Sequence, residues 1–491
     1  MLIIALLFSF ILPFNNQNSQ FEGRYLWVVR NTLTTKNSID RMIQFATLNR
    51  FNHIMVQVRG RGDAYYKSDI VAKSHLIQEI DFDPLSYLIP KAKEKGIYVH
   101  AWLNAYILWS SNKKPLQENH LLYSSPSWLD QKSNLKIDIN NELKKNNVSN
   151  SGYEGLYLSP NHPKVNSYLV KVFRELAENY EIDGLHLDYI RYQDAEYGQN
   201  PQAIEYYKKY NSSNLKPVIS QMNSAELSRW NTFKRKSVTD LVKETKKMLD
   251  FVNPNIELTA AVKPNLYQAR ERFFQEWDVW IAAGYIDKVL IMNYSKDLKG
   301  FASNIDIIYD NLPSKYWGKI VMGIATYNQP PSDVINKIKY SKVTRFKAIS
   351  FFSYNVIEQN PKYFPPIKKI LYEQKCTWFL PKISKLDARK QWIIGSVAPK
   401  GEVVIDQGAV KAIGNGKSLL PAGIKKINGS FEKGDHILVK DQNNNECARG
   451  LSSFSSAEIE KIKGSHSKEI KNILGYSSRE EIIHKDDLVK V

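Results

Sequence analysis

From residue 25 to residue 352 the chain alternates between two hydrophobic rhythms. Short, nearly continuous apolar runs stand at residues 25–30, 53–58, 97–102, 185–187, 256–262, 288–292, 320–325 and 348–352. Their length and their β-branched and aromatic content predict strands covered on both faces. Between them apolar positions recur every three to four residues. This spacing predicts helices over 38–49, 84–95, 163–180, 225–251 and 274–283, with a last helix closing near Glu373. Eight strand-then-helix units in about 350 residues predict an α/β fold, a (β/α)8 TIM barrel. A doubly wound open sheet is the runner-up. No glycine-rich phosphate loop follows the first strand, which counts against a nucleotide-binding version.

Two stretches break the rhythm, residues 105–158 and 193–222. Both are long and rich in Asn, Ser and Tyr, and long loops in compact domains are commonly functional. Both follow strands, the third and the fourth, so a barrel would carry them side by side on its C-terminal face, where barrel active sites lie. The fourth strand sits in residues 182–192, IDGLHLDYIRY. It ends by delivering Asp188, Tyr189 and Arg191 to that face.

The strand ends supply the candidate chemistry. Asp188 is the leading catalytic carboxylate, its bland alternatives being a helix cap or a pair with Arg191. Glycoside hydrolysis ordinarily uses two carboxyl groups, and Asp63, Glu154 and Glu196 are the candidates for the second. Arg59, Trp102, Asn104, Tyr189, Arg191, Lys263, Asn265, Asn293, Tyr294, Tyr327 and Tyr354 are the candidate substrate-binding residues. Amides and aromatics with few charges suit a hydroxyl-rich ligand such as a glycan. His100 and His186 fall inside strands and read as core groups. No HExxH, CxxC or histidine cluster occurs, so no metal and no cofactor are expected.

Composition adds compartment and partners. The chain has 491 residues, 43% hydrophobic and 24% charged, which is globular and long enough for two domains. A net charge of +18 favours polyanionic partners, namely nucleic acid, anionic lipid or an acidic cell-wall polymer. Only two cysteines occur, Cys376 and Cys447, so neither a disulfide scaffold nor a zinc module is expected. The two could pair in an exported protein. Residues 2–14, LIIALLFSFILPF, are too short to span a bilayer comfortably and match the apolar core of a signal peptide. No Lys or Arg precedes them and no clear small-x-small cleavage site follows. We expect export to the periplasm or cell envelope, with residues 1–20 a signal peptide and spacer and no other membrane segment.

The runs RYLWVVR, VQVRGRGDAYY, HAWLNAY, GLYLSPNHP, IDGLHLDYIRY, AVKPN and IMNYS together resemble the family-10 glycosyl-hydrolase-like proteins. These form a barrel group distantly similar to the α-amylase clan. The resemblance covers residues 21–375. It implies a glycosidase acting on O-glycosidic bonds of a polysaccharide, such as peptidoglycan glycan strands or an α-glucan, with Asp188 at the position of the clan's nucleophile. The acid expected at the end of the fifth strand is absent, because Lys263 to Asn265 stands there. A standard double displacement is therefore not carried over. The fourth-strand motif also resembles the DGxDxDxE of chitinases, except that Ile190 replaces the acid. A glycan-binding barrel without catalysis is the alternative.

From Cys376 onward the pattern changes to short apolar runs punctuated by glycine, which predicts a small β-barrel with one or two helices. Residues 376–491 closely resemble the C-terminal region of bacterial glutamate 5-kinase, including its PUA domain. The resemblance implies a fold found in RNA-binding proteins, so RNA is the expected partner of this region and an RNA-directed function is a third reading. The preceding barrel does not resemble an amino-acid kinase, and glutamate kinase activity is not expected. The basic excess is spread along the chain rather than concentrated here, which weakens a nucleic-acid stripe.

Overall fold

The computed structural model describes residues 20–132, 137–145, 153–211, 216, 218–372, 399–475 and 479–490. The apolar run at residues 2–14 and Cys376 fall outside them, and so does the question of a Cys376–Cys447 pair. No described helix is long and apolar enough to cross a membrane. The chain divides into two compact units, residues 1–376 and 377–491.

In the first unit the eight runs form eight parallel strands: β1 (Gly23–Val28), β2 (His53–Arg59), β3 (Tyr98–Asn104), β6 (Gly184–Asp188), β7 (Glu257–Val262), β8 (Lys288–Ile291), β9 (Ile320–Ala325) and β10 (Ala348–Phe352). They close in the order β1-β10-β9-β8-β7-β6-β3-β2. The first insertion contributes β4 (Ile107–Trp109) and β5 (Leu156–Tyr157), which pair antiparallel as a small separate sheet. The second contributes the helix Pro201–Asn211.

The period-two alternation of a strand explains the two layers of core. Outward positions such as Leu26, Val28, Ile54, Val56, Val58, Leu185 and Leu187 join the main apolar cluster beneath the helices. Inward positions Tyr25, Trp27, Met55, Trp102, Ala261, Leu290, Val321 and Ala348 fill the lumen, as barrel interiors are filled by layers of side chains. Toward the start of the strands the lumen is polar. His53 Nδ1 and His100 Nε2 share a hydrogen bond of 2.9 Å, and His186 Nδ1 lies 2.7 Å from Thr259 Oγ1. Burial pushes the His53 and His186 pKa down to about 3 and that of His100 well below its ordinary value, so all three are neutral. His100 and His186 are core groups, each pairing through one ring nitrogen; the other nitrogen of each has no partner among the described residues.

Helix ends follow local rules. Asp83 caps Pro84–Glu94, accepting from the amides of Leu85 and Ser86 ahead of a proline in the first turn. Asn223 and Glu226 form a capping box on the long helix Ser224–Val252. From that helix the fully buried Lys234 ammonium donates to the Ala195 and Tyr197 carbonyls at 2.9 and 3.1 Å, fastening the second insertion.

The second unit holds β11 (Gly401–Ile405), β12 (Ile424–Gly429), β13 (His436–Lys440), β14 (Glu446–Leu451) and β15 (Leu488–Lys490) in one sheet, ordered β12-β11-β13-β14-β15. Among the described residues this is a five-stranded sheet, the small mostly-β domain expected after the barrel. Its core includes Val403, Ile405, Ile437, Val439 and Ile459.

Candidate active site

The inward face of β6 carries Gly184, His186 and Asp188, so strand alternation places the Asp188 carboxylate at the C-terminal mouth of the lumen. The next residue, Tyr189, has φ of +50°, the left-handed region that non-glycine residues seldom adopt. This turn aims the Tyr189 amide at Asp188 Oδ1, 2.7 Å away. It also folds Arg191 back beneath the mouth, where it is buried. Arg191 Nη2 donates to both Glu154 oxygens at 2.9 Å, and Nη1 donates to the Tyr192 carbonyl at 3.2 Å. The Tyr157 hydroxyl also donates to Glu154. Tyr157 ends β5 and Glu154 stands two residues before its start, so the first insertion delivers a second carboxylate beside the end of β6.

The charges that bear on Asp188 are Arg191, Glu154 and Lys263. Burial raises the Asp188 pKa to about 6 against the pull of the Tyr189 amide and Arg191, and the Glu154 charge adds to the rise. At Glu154 burial also acts upward, but Arg191 and the Tyr157 hydroxyl outweigh it and hold the carboxyl below its ordinary value. Lys263, at the top of β7, has its pKa lowered to about 8 by burial and by Arg191. Its ammonium lies 4.5 Å from the Phe273 ring centroid. The site thus contains one carboxyl that holds its proton up to about pH 6 and one that is ionised well below that.

Aromatic rings frame these groups. Trp27 meets Trp102 edge-on at 4.8 Å and Phe352 at 5.7 Å. Tyr294 lies against Phe352 at 5.7 Å and Tyr327 at 6.3 Å, and Tyr157 against Tyr189 at 6.0 Å. Asn104 is bound from within: its Oδ1 accepts from Trp102 Nε1 at 3.0 Å and Gln57 Nε2 at 3.3 Å, and its Nδ2 donates to the Gly60 carbonyl at 2.8 Å. It holds Trp102 in place. A cavity of about 240 Å³ lies in the insertions, lined by Asp130, Lys132, Tyr153 and Tyr197 among others, and Tyr157 is common to its wall and to this cluster.

The structure gathers Asp188, Glu154, Tyr189, Arg191, Lys263 and Tyr294 into one cluster, with Tyr327 exposed at its edge. Several other sequence candidates do not join it. Asp63 turns onto its own loop, where Oδ1 accepts from the Arg61 amide at 3.0 Å. Glu196 is exposed and pairs with Lys132 at 2.7 Å. Arg59 is completely buried and donates to the carbonyls of Asn104 and Ala105. Asn265 caps the helix Leu266–Glu271. Asn293 is fully buried, donating to the Phe301 carbonyl at 2.9 Å and accepting from Asn304 at 2.8 Å. Tyr354 packs outside the barrel against Phe45, because the chain has already turned into the helix Tyr354–Gln359. A polar residue just past a strand end is as well placed to cap or brace a loop as to face the lumen, and these residues do the former. Sequence reasoning missed Tyr157, Trp27, Phe273 and Phe352. Tyr157 lay in the quoted run GLYLSPNHP, where its position three residues after Glu154 was the available signal.

The sequence model of the family described as glycosyl hydrolase-like 10 matches residues 22–341, and that of the PUA domain matches residues 401–474. The curated relatives are glutamate 5-kinases, which match the PUA region. The enzyme of Pelagibacter ubique is 67% identical over 126 residues, 26% of this chain and 34% of the relative. That of Paramagnetospirillum magneticum is 49% identical over 124 residues, 25% of this chain and 34% of the relative. The chain thus spans about a third of the length of these relatives. Among solved structures, the PgaB (BpsB) glycoside hydrolase domain from Bordetella bronchiseptica aligns with a TM-score of 0.55 at 12% identity, covering 72% of this chain and 99% of that one. At such identity the likeness concerns the fold. With two thirds of its length matched by the family model and a closed eight-stranded parallel barrel beneath it, the chain belongs to the glycosyl hydrolase-like 10 family and carries a PUA domain after its barrel.

Proposed function

We propose that the barrel hydrolyses O-glycosidic bonds of a polysaccharide, with Asp188 and Glu154 as its carboxyl pair. The observation that carries this reading is the division of protonation between them. Two carboxyls in one cluster have their pKa values displaced in opposite directions, which is how acid and base roles are separated in glycosidases. Asp188, buried among aromatics, is suited to donate its proton to the departing glycosidic oxygen. Glu154, kept ionised by Arg191 and Tyr157, is suited to face the positive charge that develops on the sugar, as base toward water or as nucleophile. This assignment reverses the nucleophile role that family resemblance implies for Asp188. At the mouth the half-buried Tyr294 and Phe352 and the exposed Tyr327 supply flat apolar faces of the kind sugar rings stack on.

Peptidoglycan glycan strands and an α-glucan are the substrates to try first. The test is release of reducing ends by wild type, Asp188→Asn and Glu154→Gln. Loss of release in both variants supports the pair, and an unchanged rate in Asp188→Asn sinks it. Because Lys263 stands where the clan's acid is expected, a binding barrel without catalysis is the second reading. Tight glycan binding with no release by any form would favour it. Export is part of the proposal and is motivated by the apolar run at residues 2–14; fractionation of a tagged chain checks it. RNA binding through the PUA domain is motivated by the family match and is checked by the salt dependence of RNA binding to the whole chain.

A further inference from the structure

The mouth of the barrel holds cations that the proposed reaction does not use. Arg191 is matched by Glu154, and Arg272 by Asp194. Lys263, Arg30 and Arg61 form no ion pair with a carboxylate among the described residues. Arg30 Nη1 reaches the lumen, donating to Gln57 Oε1 at 2.9 Å. Arg61 lies over the Trp109 ring at 5.9 Å, and its Nε donates to Ser110 Oγ at 3.0 Å.

Lys263 is the most telling of the three. Strand alternation puts it on the inward face, two residues beyond the lumen residue Ala261, and so at the rim above Asp188. Its backbone is fixed on both sides: its amide donates to Gln275 Oε1 at 2.9 Å, and its carbonyl accepts from Trp277 Nε1 at 3.1 Å. The side chain runs over Phe273 and meets no hydrogen-bond acceptor among the described residues. Glu154 and Asp188 act on this ammonium through space without pairing with it directly, and burial with Arg191 outweighs them, so half-burying it costs free energy that no hydrogen-bonded counter-ion offsets. An anion arriving with the substrate would supply the missing partner.

On the reading that this barrel is a glycan hydrolase, we propose that Lys263 is a specificity-determining residue for a carboxylate-bearing glycan. Its ammonium pairs with the carboxylate of an acidic sugar at the rim, next to the sugar held at Asp188, while Arg30 and Arg61 extend the positive rim along the polymer. The net charge of +18 acts in the same direction by drawing a polyanion toward the cleft.

The full-length Asp188→Asn protein is titrated calorimetrically with two acidic polymers, polygalacturonate and peptidoglycan glycan strands. Each is offered with its carboxyls intact or reduced to alcohols. The expected result is about tenfold tighter binding of at least one intact polymer than of its reduced form, the size of one charge-assisted hydrogen bond. Adding Lys263→Met should remove the preference, and adding Lys263→Arg should retain most of it. Equal affinity for intact and reduced forms, a preference that survives Lys263→Met, or no binding of either intact polymer overturns the proposal. Hydrolysis of a neutral glucan by wild type, lost in Asp188→Asn, would leave the hydrolase reading standing when this one fails. A Lys263-dependent preference without any hydrolysis would do the reverse.

Discussion

Replacing Asp188 with Asn should make the protein more stable at neutral pH, and by an amount that depends on pH. In the fold the Asp188 pKa is raised from 3.8 to about 6 by burial. Between those values the folded chain holds a proton that the unfolded chain has already released, so each step up in pH favours unfolding. Above about pH 6 both states are ionised and the penalty is complete. At 1.36 kcal/mol per pH decade the full displacement is worth about 3 kcal/mol. The carboxylate also receives the Tyr189 amide and the fields of Arg191 and Lys263, and these are weakened in the variant. A net gain of about 1–3 kcal/mol at pH 7 remains, or roughly 2–6 °C in the barrel transition. Near pH 4 and below, where Asp188 is protonated, the two proteins should be equally stable. Thermal and urea unfolding of wild type and variant from pH 3.5 to 8 measures the difference directly. A difference that is flat across that range, or a variant less stable at pH 7, would refute the claim that burial burdens Asp188 with an ionised charge.

Other expectations follow from the same contacts. Glu154→Gln leaves the buried Arg191 guanidinium without its bidentate partner and should cost about 2–4 kcal/mol in urea unfolding, discounted because Glu154 is a third exposed. Since the folded-state pKa of Glu154 is lowered, its contribution is present above the ordinary glutamate range and fades as the pH falls through its depressed folded value, which acid titration of stability will show. Tyr157→Phe removes the hydroxyl that helps keep Glu154 ionised, so the acid limb of kcat/KM should move to higher pH; a limb that does not move counts against Glu154 as the ionised partner. Trp27→Ala empties the centre of the lumen, where Trp27 meets Trp102, His186 and Phe352, and should cost about 3–5 kcal/mol in chemical unfolding.

The sequence by itself determined the barrel. Burial on both faces writes each strand as a local apolar run, and packing on the sheet writes each helix as a 3.6-residue stripe. The runs at 320–325 and 348–352 coincide with β9 and β10, and the other six strands overlap their runs with ends displaced by two residues or fewer. The position of Asp188 at a strand end was equally legible, because alternation along one strand is a local property. Tertiary structure alone decided which residue would partner it. Glu154 and Arg191 are 37 residues apart in the chain. Their meeting depends on how the first insertion folds over the end of β6, and no periodicity encodes that. The same holds for the residues that went elsewhere. Nothing local separates Tyr354, which packs on a helix, from Tyr294, which lies beside Asp188, since both follow a strand. The direction a loop takes after the strand is set by what it packs against. Protonation was likewise invisible from the sequence: burial and neighbouring charge move two carboxyls of similar intrinsic acidity in opposite directions, and both of those are properties of the folded chain.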